Sequence, residues 1–430
     1  MMKLSYKRTF FVGLAFMSIC AFWQVYDNLI PLILKNTFAV DDTLIGVVMA
    51  LDNVLALIML PLFGKLSDKT RAKIGRRMPY IVGGTAVAVL CVLLLPIAER
   101  INSLVLFVVG LGLVLIAMAT YRSPAVALMP DVTPKPLRSQ ANAVINLMGA
   151  VGGMLMLVTM QVFLPKVTGG AYRPNYLPIF AVLAVVMALC VSVLFWKIKE
   201  LPLAAEAERL SKEMEADQPE EQRAPTSDGP MAPAVRRSFC FILASVFLWY
   251  MGYNAVISGF SRYATQELQG SFSMILMVCT AAAILSYLPV GLIAARIGRR
   301  YTILMGVAFL ATAFLAGCFF YRVSVGLYIF FILAGMGWAF INVNSYPMVV
   351  ELSSGQDVGK YTGYYYTVSM AAQIITPVVS GFLMGHVGYR TLFPYATFFV
   401  CCSFVTMCLV KHGDSRPQAK KGLEALDVDD

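Results

Sequence analysis

Apolar residues along this chain fall in runs of about 20, separated mostly by short polar gaps. A helix of about 20 residues rising 1.5 Å per residue crosses about 30 Å of hydrocarbon, so each run is long enough to span a bilayer. Twelve runs are read, at 10–34, 43–64, 79–98, 102–128, 141–164, 176–197, 238–261, 271–294, 301–320, 325–348, 362–385 and 391–410. The pattern predicts an all-α integral membrane protein of twelve transmembrane helices. One long gap breaks it, with Glu206, Glu208, Glu213, Glu215, Asp217, Glu220 and Glu221 followed by a Pro/Ser/Asp/Gly stretch at 225–230. Such composition predicts an amphipathic start and then a flexible linker. The expected division is a six-helix bundle at 1–198, a cytoplasmic linker at 199–236, a second six-helix bundle at 237–410 and a cytoplasmic tail at 411–430.

The two bundles register against each other. Gly75-Arg76-Arg77 and Gly298-Arg299-Arg300 are 223 residues apart, and so are Pro124 and Pro347. Upstream of the charged turn the first half carries four extra residues, which pairs Tyr26 and Asp27 with Tyr253 and Asn254. Ordered matches at a shared offset predict two pseudo-symmetric halves, the layout of many transporters.

Composition agrees with a bilayer setting: 59% of residues are hydrophobic and 13% charged. The net charge of +10 has a topological explanation. With the N-terminus inside, 26 of the 34 lysines and arginines fall in cytoplasmic segments, while the outer loops hold Lys35, Arg100, Lys166, Arg173, Arg262, Arg322 and Arg390. Both termini are expected in the cytoplasm of a multi-pass plasma-membrane protein. The basic start Lys3, Lys7 and Arg8 also opens some secretory signals, but no small-residue cleavage pattern follows. No groove-binding motif supports nucleic acid as a partner. All nine cysteines lie in predicted spans without zinc or disulfide spacing, and with only His386 and His412 a histidine-rich metal site is excluded. No nucleophile motif or phosphate-binding loop is present, so neither an enzyme, a bound cofactor nor direct ATP drive is expected.

From Gly64 to Ile81 the chain resembles the loop between helices 2 and 3 of the major facilitator superfamily: a glycine, Asp68 four residues later, then Gly75-Arg76-Arg77. More narrowly, Arg71, Lys73, Gly75, Arg76, Arg77, Pro79, Tyr80 and Ile81 resemble the version in glycoside-pentoside-hexuronide cation symporters and the related sucrose transporters. Two further places carry the likeness. One runs from Asp52 and Asn53 to Pro61 and Gly64; the other runs from Pro124 through Pro130 and Asp131 to Arg138, Gln140 and Asn142, similar to the helix 4–5 junction of sucrose transporters. The resemblance implies alternating access by two rocking bundles and a sugar substrate. It departs where sodium-coupled members carry paired acids, since this chain has Ala56 and Leu60 there, and no lysine in helix 11.

A charged side chain inside a bilayer costs several kcal/mol unless it faces water or a partner, which makes Asp27, Asp52 and Arg122 the leading site candidates. Asp27 and Asp52 can share one depth, and two carboxylates crowded in a low-dielectric setting suit a proton carrier. The structural alternatives are a helix break before Pro31 for Asp27, packing against the charged turn or helix 11 for Asp52, and a snorkelling anchor for Arg122. Sucrose transporters place an arginine at the position of Val126; Arg122 lies one turn away on the same face. Trp23, Gln24 and Tyr26 in helix 1, Tyr250, Tyr253 and Asn254 in helix 7, and Asn342 and Asn344 in helix 10 complete a sugar-binding hypothesis, with aromatic faces for rings and amides for hydroxyls. Packing or an interfacial belt is the competing reading for each aromatic. Gly64, Asp68, Arg71, Arg76, Arg77 and Asp131 form the expected cytoplasmic gate.

The sequence therefore points to proton-coupled symport of a sugar or glycoside, with a small-molecule substrate, H+ and membrane lipid as partners and a monomer as the working unit. The alternatives are a proton-coupled exporter of amphipathic or drug-like compounds, which the 24 methionines favour, and a membrane enzyme or receptor, which no motif supports.

Overall fold

The structure, a computed structural model, describes residues 4–134, 137–164, 174–216, 233–350 and 358–412, without the side chains of 139, 211–216, 288, 350 and 358–360. Of the linker expected at 199–236, residues 217–232 lie outside the described residues, as do the expected outer-loop cations Lys166 and Arg173 and the tail from 413 onward. Backbone amides in hydrocarbon have no water to bond, so apolar runs close their hydrogen bonds internally as helices. Among the described residues there are thirteen α-helices and no named strand.

The first six long helices are α1 (Tyr6–Asn36), α2 (Asp42–Lys69), α3 (Met78–Arg100), α4 (Leu104–Asp131), α5 (Arg138–Phe163) and α6 (Leu177–Lys197). A shorter α7 (Glu200–Ala216) follows, then α8 (Pro233–Gln266), α9 (Phe272–Ile297), α10 (Arg299–Gly317), α11 (Val325–Val350), α12 (Val358–His386) and α13 (Leu392–Cys408). Eleven are long and apolar enough to cross a membrane; α9 makes a twelfth if its two parts, bent by 52° around Pro289, count as one span. The amphipathic start expected after helix 6 is α7.

Two compact units form, residues 1–39 with 51–220 and residues 40–50 with 221–430. Within the first, α1 lies along α5 and α6, and α3 along α4 and α6. Within the second, α8 packs on α12 and α13, and α11 on α9 and α10. Large apolar side chains such as Leu90, Val105, Leu285 and Phe398 face outward, where a soluble protein would be polar. The registered glycines behave alike: Gly75 has φ +122° and Gly298 φ +93°, each just before a helix, a backbone state that side chains disfavour. The registered prolines Pro124 and Pro347 both lie inside helices, α4 and α11.

Three cations expected in outer loops lie in helices instead: Lys35 in the last turn of α1, Arg100 at the end of α3 and Arg262 in α8. Arg262, counted as an outer-loop cation, lies inside α8, which runs past the predicted end at 261, and it is 1% exposed. A partner explains why it is tolerated there: its Nη1 donates to Asp42 Oδ1 at 2.8 Å. Tyr389 Oη donates to the same carboxylate at 2.9 Å.

Candidate functional site

In the first unit α1, α2 and α4 bring the three membrane-embedded charges together. Asp52 and Arg122 are the charged neighbours that act on Asp27, and Arg122 also acts on Asp52. The Arg122 guanidinium leans over Trp23, its central carbon 5.3 Å from the ring centroid. No direct ion pair joins it to either carboxylate among the described residues. Asn53 Nδ2 donates to Asp52 Oδ1 at 2.7 Å. Trp23 sits edge-on to Tyr26, with centroids 5.3 Å apart, and is half-buried like Gln24. Tyr26 is fully buried. The set holds two acids against one base beside an aromatic wall, an arrangement able to take a cation or proton and to offer acceptors to hydroxyls.

In the second unit Tyr253 stacks flat on Trp338, with centroids 3.6 Å apart and planes 2° from parallel. Tyr250 meets the same indole edge-on at 5.5 Å. Asn254 Nδ2 is buried without a partner among the described residues. Asn342 is half-buried on α11. Asn344 is fully buried; its Nδ2 donates to the Phe340 carbonyl at 3.0 Å, and its Oδ1 has no partner among the described residues. Trp338 escaped the sequence reading, although it lies one helical turn before Asn342 and so on the same face.

The charged turn closes on itself at the end of α2. Arg77, 5% exposed, pairs with Asp68 and, through Nε at 2.9 Å, with Asp131 Oδ2. It also donates to Ser67 Oγ and to the Gly64 carbonyl. Arg76 Nη2 reaches Asp131 Oδ1 at 2.8 Å. Arg71 is exposed and makes no ion pair with a described residue, so it stands apart from this cluster. Sequence reasoning missed Glu200, the first residue of α7, whose carboxylate lies against the same turn. A separation of 124 residues hides that contact from any local pattern.

A match to the Major Facilitator Superfamily model covers residues 12–283 and 242–427. The chain belongs to the Major Facilitator Superfamily. It is a multi-pass membrane transporter rather than an enzyme, in line with the resemblance carried by the charged turn. Sucrose transport protein SUC3 of Arabidopsis thaliana is 27% identical over 176 residues, 35% of this chain and 30% of that protein. Sucrose transport protein SUT4 of Oryza sativa subsp. indica is 24% identical over 210 residues, 41% of this chain and 34% of that protein. The chain thus spans about a third of the length of the curated relatives it matches. Among solved structures, the nucleoside transporter NupG aligns over 95% of this chain and 100% of its own at TM-score 0.63 and 16% identity. A bacterial homolog of the human lysosomal transporter Spinster aligns over 97% of this chain and 100% of its own at TM-score 0.66 and 13% identity. At these identities the solved structures speak to the fold alone.

Proposed function

We propose that this transporter carries a sugar or glycoside together with a proton by alternating access, in the plasma membrane with both termini cytoplasmic. The observation that carries the reading is the cluster of Asp27, Asp52 and Arg122 beside Trp23. One guanidinium offsets one carboxylate, which leaves one acid for a coupling proton, while an indole face suits a sugar ring. The local sequence likeness to sucrose transport proteins supports the substrate class. Tyr253, Trp338 and Asn254 supply the same chemistry in the second half. Uphill movement follows if the loaded and empty carriers reorient readily and the half-loaded carrier does not. The Asp68, Arg76, Arg77 and Asp131 cluster serves as the cytoplasmic gate in this reading.

The test is uptake of a labelled glycoside panel, sucrose included, into proteoliposomes with and without an imposed pH gradient. At least one sugar should accumulate only when the gradient is present. Failure of every sugar together with gradient-driven dye movement would replace this reading by export of amphipathic compounds.

A further inference from the structure

The charged turn owes its shape to a residue outside it. Glu200 is 2% exposed and carries no ion pair among the described residues; its carboxylate is satisfied by backbone instead. Its Oε1 accepts from the N–H groups of Arg76 at 2.8 Å and Arg77 at 2.9 Å. Its Oε2 accepts from Arg77 at 3.0 Å and Met78 at 2.9 Å. These amides open α3, where Arg77 makes no side-chain cap of its own. A helix start leaves its first N–H groups unbonded and positive, so a buried carboxylate there is both needed and favoured. The approach is so close that a Cβ on Gly75 would overlap Glu200 Oε2. Gly75 therefore answers two demands at once, a left-handed backbone and room for the carboxylate.

The residues whose amides Glu200 holds are the ones whose side chains form the gate. With Arg76 and Arg77 fixed at the backbone, their guanidinium groups fan onto Asp131, Asp68, Ser67 and the Gly64 carbonyl. Farther along α7, Glu206 pairs with Arg8 at 3.2 Å, which ties the same helix to α1. We propose that Glu200 is the positioning residue of the charged turn, and that α7 acts through it as a clamp setting how firmly Arg76 and Arg77 hold Asp131. This rests on the gate reading above, and the test separates the two.

Hydrogen–deuterium exchange of the full chain in lipid nanodiscs needs no substrate. Glu200→Gln keeps shape but turns two of the four acceptor contacts into donor against donor. Exchange at residues 76–78 should rise about tenfold, and exchange at 64–68 and 128–133 should rise with it. A rise confined to 76–78 makes Glu200 a plain helix cap and overturns the proposal. Counterflow of radiolabelled sucrose in proteoliposomes gives the second readout. Glu200→Gln should slow it about tenfold, and Asp131→Asn combined with Glu200→Gln should add little to either change alone, because both act through one contact. Multiplying losses would also overturn the proposal. If Asp131→Asn exchanges sucrose like the wild type while the exchange pattern is as expected, the gate reading falls and the positioning stands. Should Glu200→Gln fail to fold, Glu200→Asp, which keeps the charge on a shorter arm, is judged by the same comparison.

Discussion

At the scale of single residues, everything turns on how charges are balanced where water is scarce. Asp52 and Arg122 act on Asp27, and Arg122 on Asp52, yet among the described residues none is neutralised by a direct ion pair. A proton on either acid removes the excess negative charge, and Asp27→Asn makes that removal permanent. The variant should lose gradient-driven accumulation of sugar while keeping equilibrative exchange; undiminished accumulation would take Asp27 out of the coupling. Arg122 does a second job by laying its flat guanidinium toward Trp23. Arg122→Lys keeps the charge but loses the planar fork. Sugar affinity should weaken about tenfold, equivalent to the loss of one good contact of about 1.4 kcal/mol, as measured by quenching of tryptophan emission on binding. Arg122→Leu leaves two crowded acids without a base and should weaken it further. These three residues were legible in the sequence because an ionisable group in an apolar run announces itself. Trp338 was not, since an aromatic in a membrane helix looks the same whether it packs, meets lipid or stacks on Tyr253.

At the scale of elements, the helices were readable from run length, while their ends and their partners were not. Arg262 shows why. A cation near the end of an apolar run reads as loop, but α8 extends through it and Asp42, 220 positions earlier, supplies the counter-charge. Glu200 was invisible for the same reason, its use lying in amides far away along the chain. Removing one member of a buried pair strands the other, at about 3–5 kcal/mol. Arg262→Met should therefore lower the melting temperature of the purified protein sharply, and adding Asp42→Leu should recover most of the loss. Equal melting of wild type and Arg262→Met would mean Tyr389 alone satisfies the acid. A nearby contact involves backbone only: a Cβ on Gly46 of α2 would overlap the Pro377 carbonyl oxygen of α12. Neither backbone can yield locally, so Gly46→Ala should also lower the melting temperature, whereas Gly83→Ala, where a Cβ meets open space, should not.

At the scale of the whole molecule, the decisive property is which side of the membrane each loop faces, and the proposal for it rests on charge. Lysine and arginine are held back on the cytoplasmic side of short loops. The proposed orientation, with both termini inside, rests on the 26 lysines and arginines of the cytoplasmic segments, and Arg262, near the end of α8, is paired with Asp42. In that proposed orientation the charged turn with Lys73 faces the cytoplasm and the loop with Arg322 between α10 and α11 faces out; both residues are exposed. In a variant lacking the nine natural cysteines, Arg322→Cys should react with a membrane-impermeant maleimide in intact cells. Lys73→Cys should react only after the cells are opened. The reverse pattern would invert the molecule and put the Arg77 cluster outside, where it could not serve as a cytoplasmic gate. Under symport an inward proton gradient drives uptake in either orientation, so the pH-gradient experiment reads the same way and the orientation measurement tests the placement of the gate.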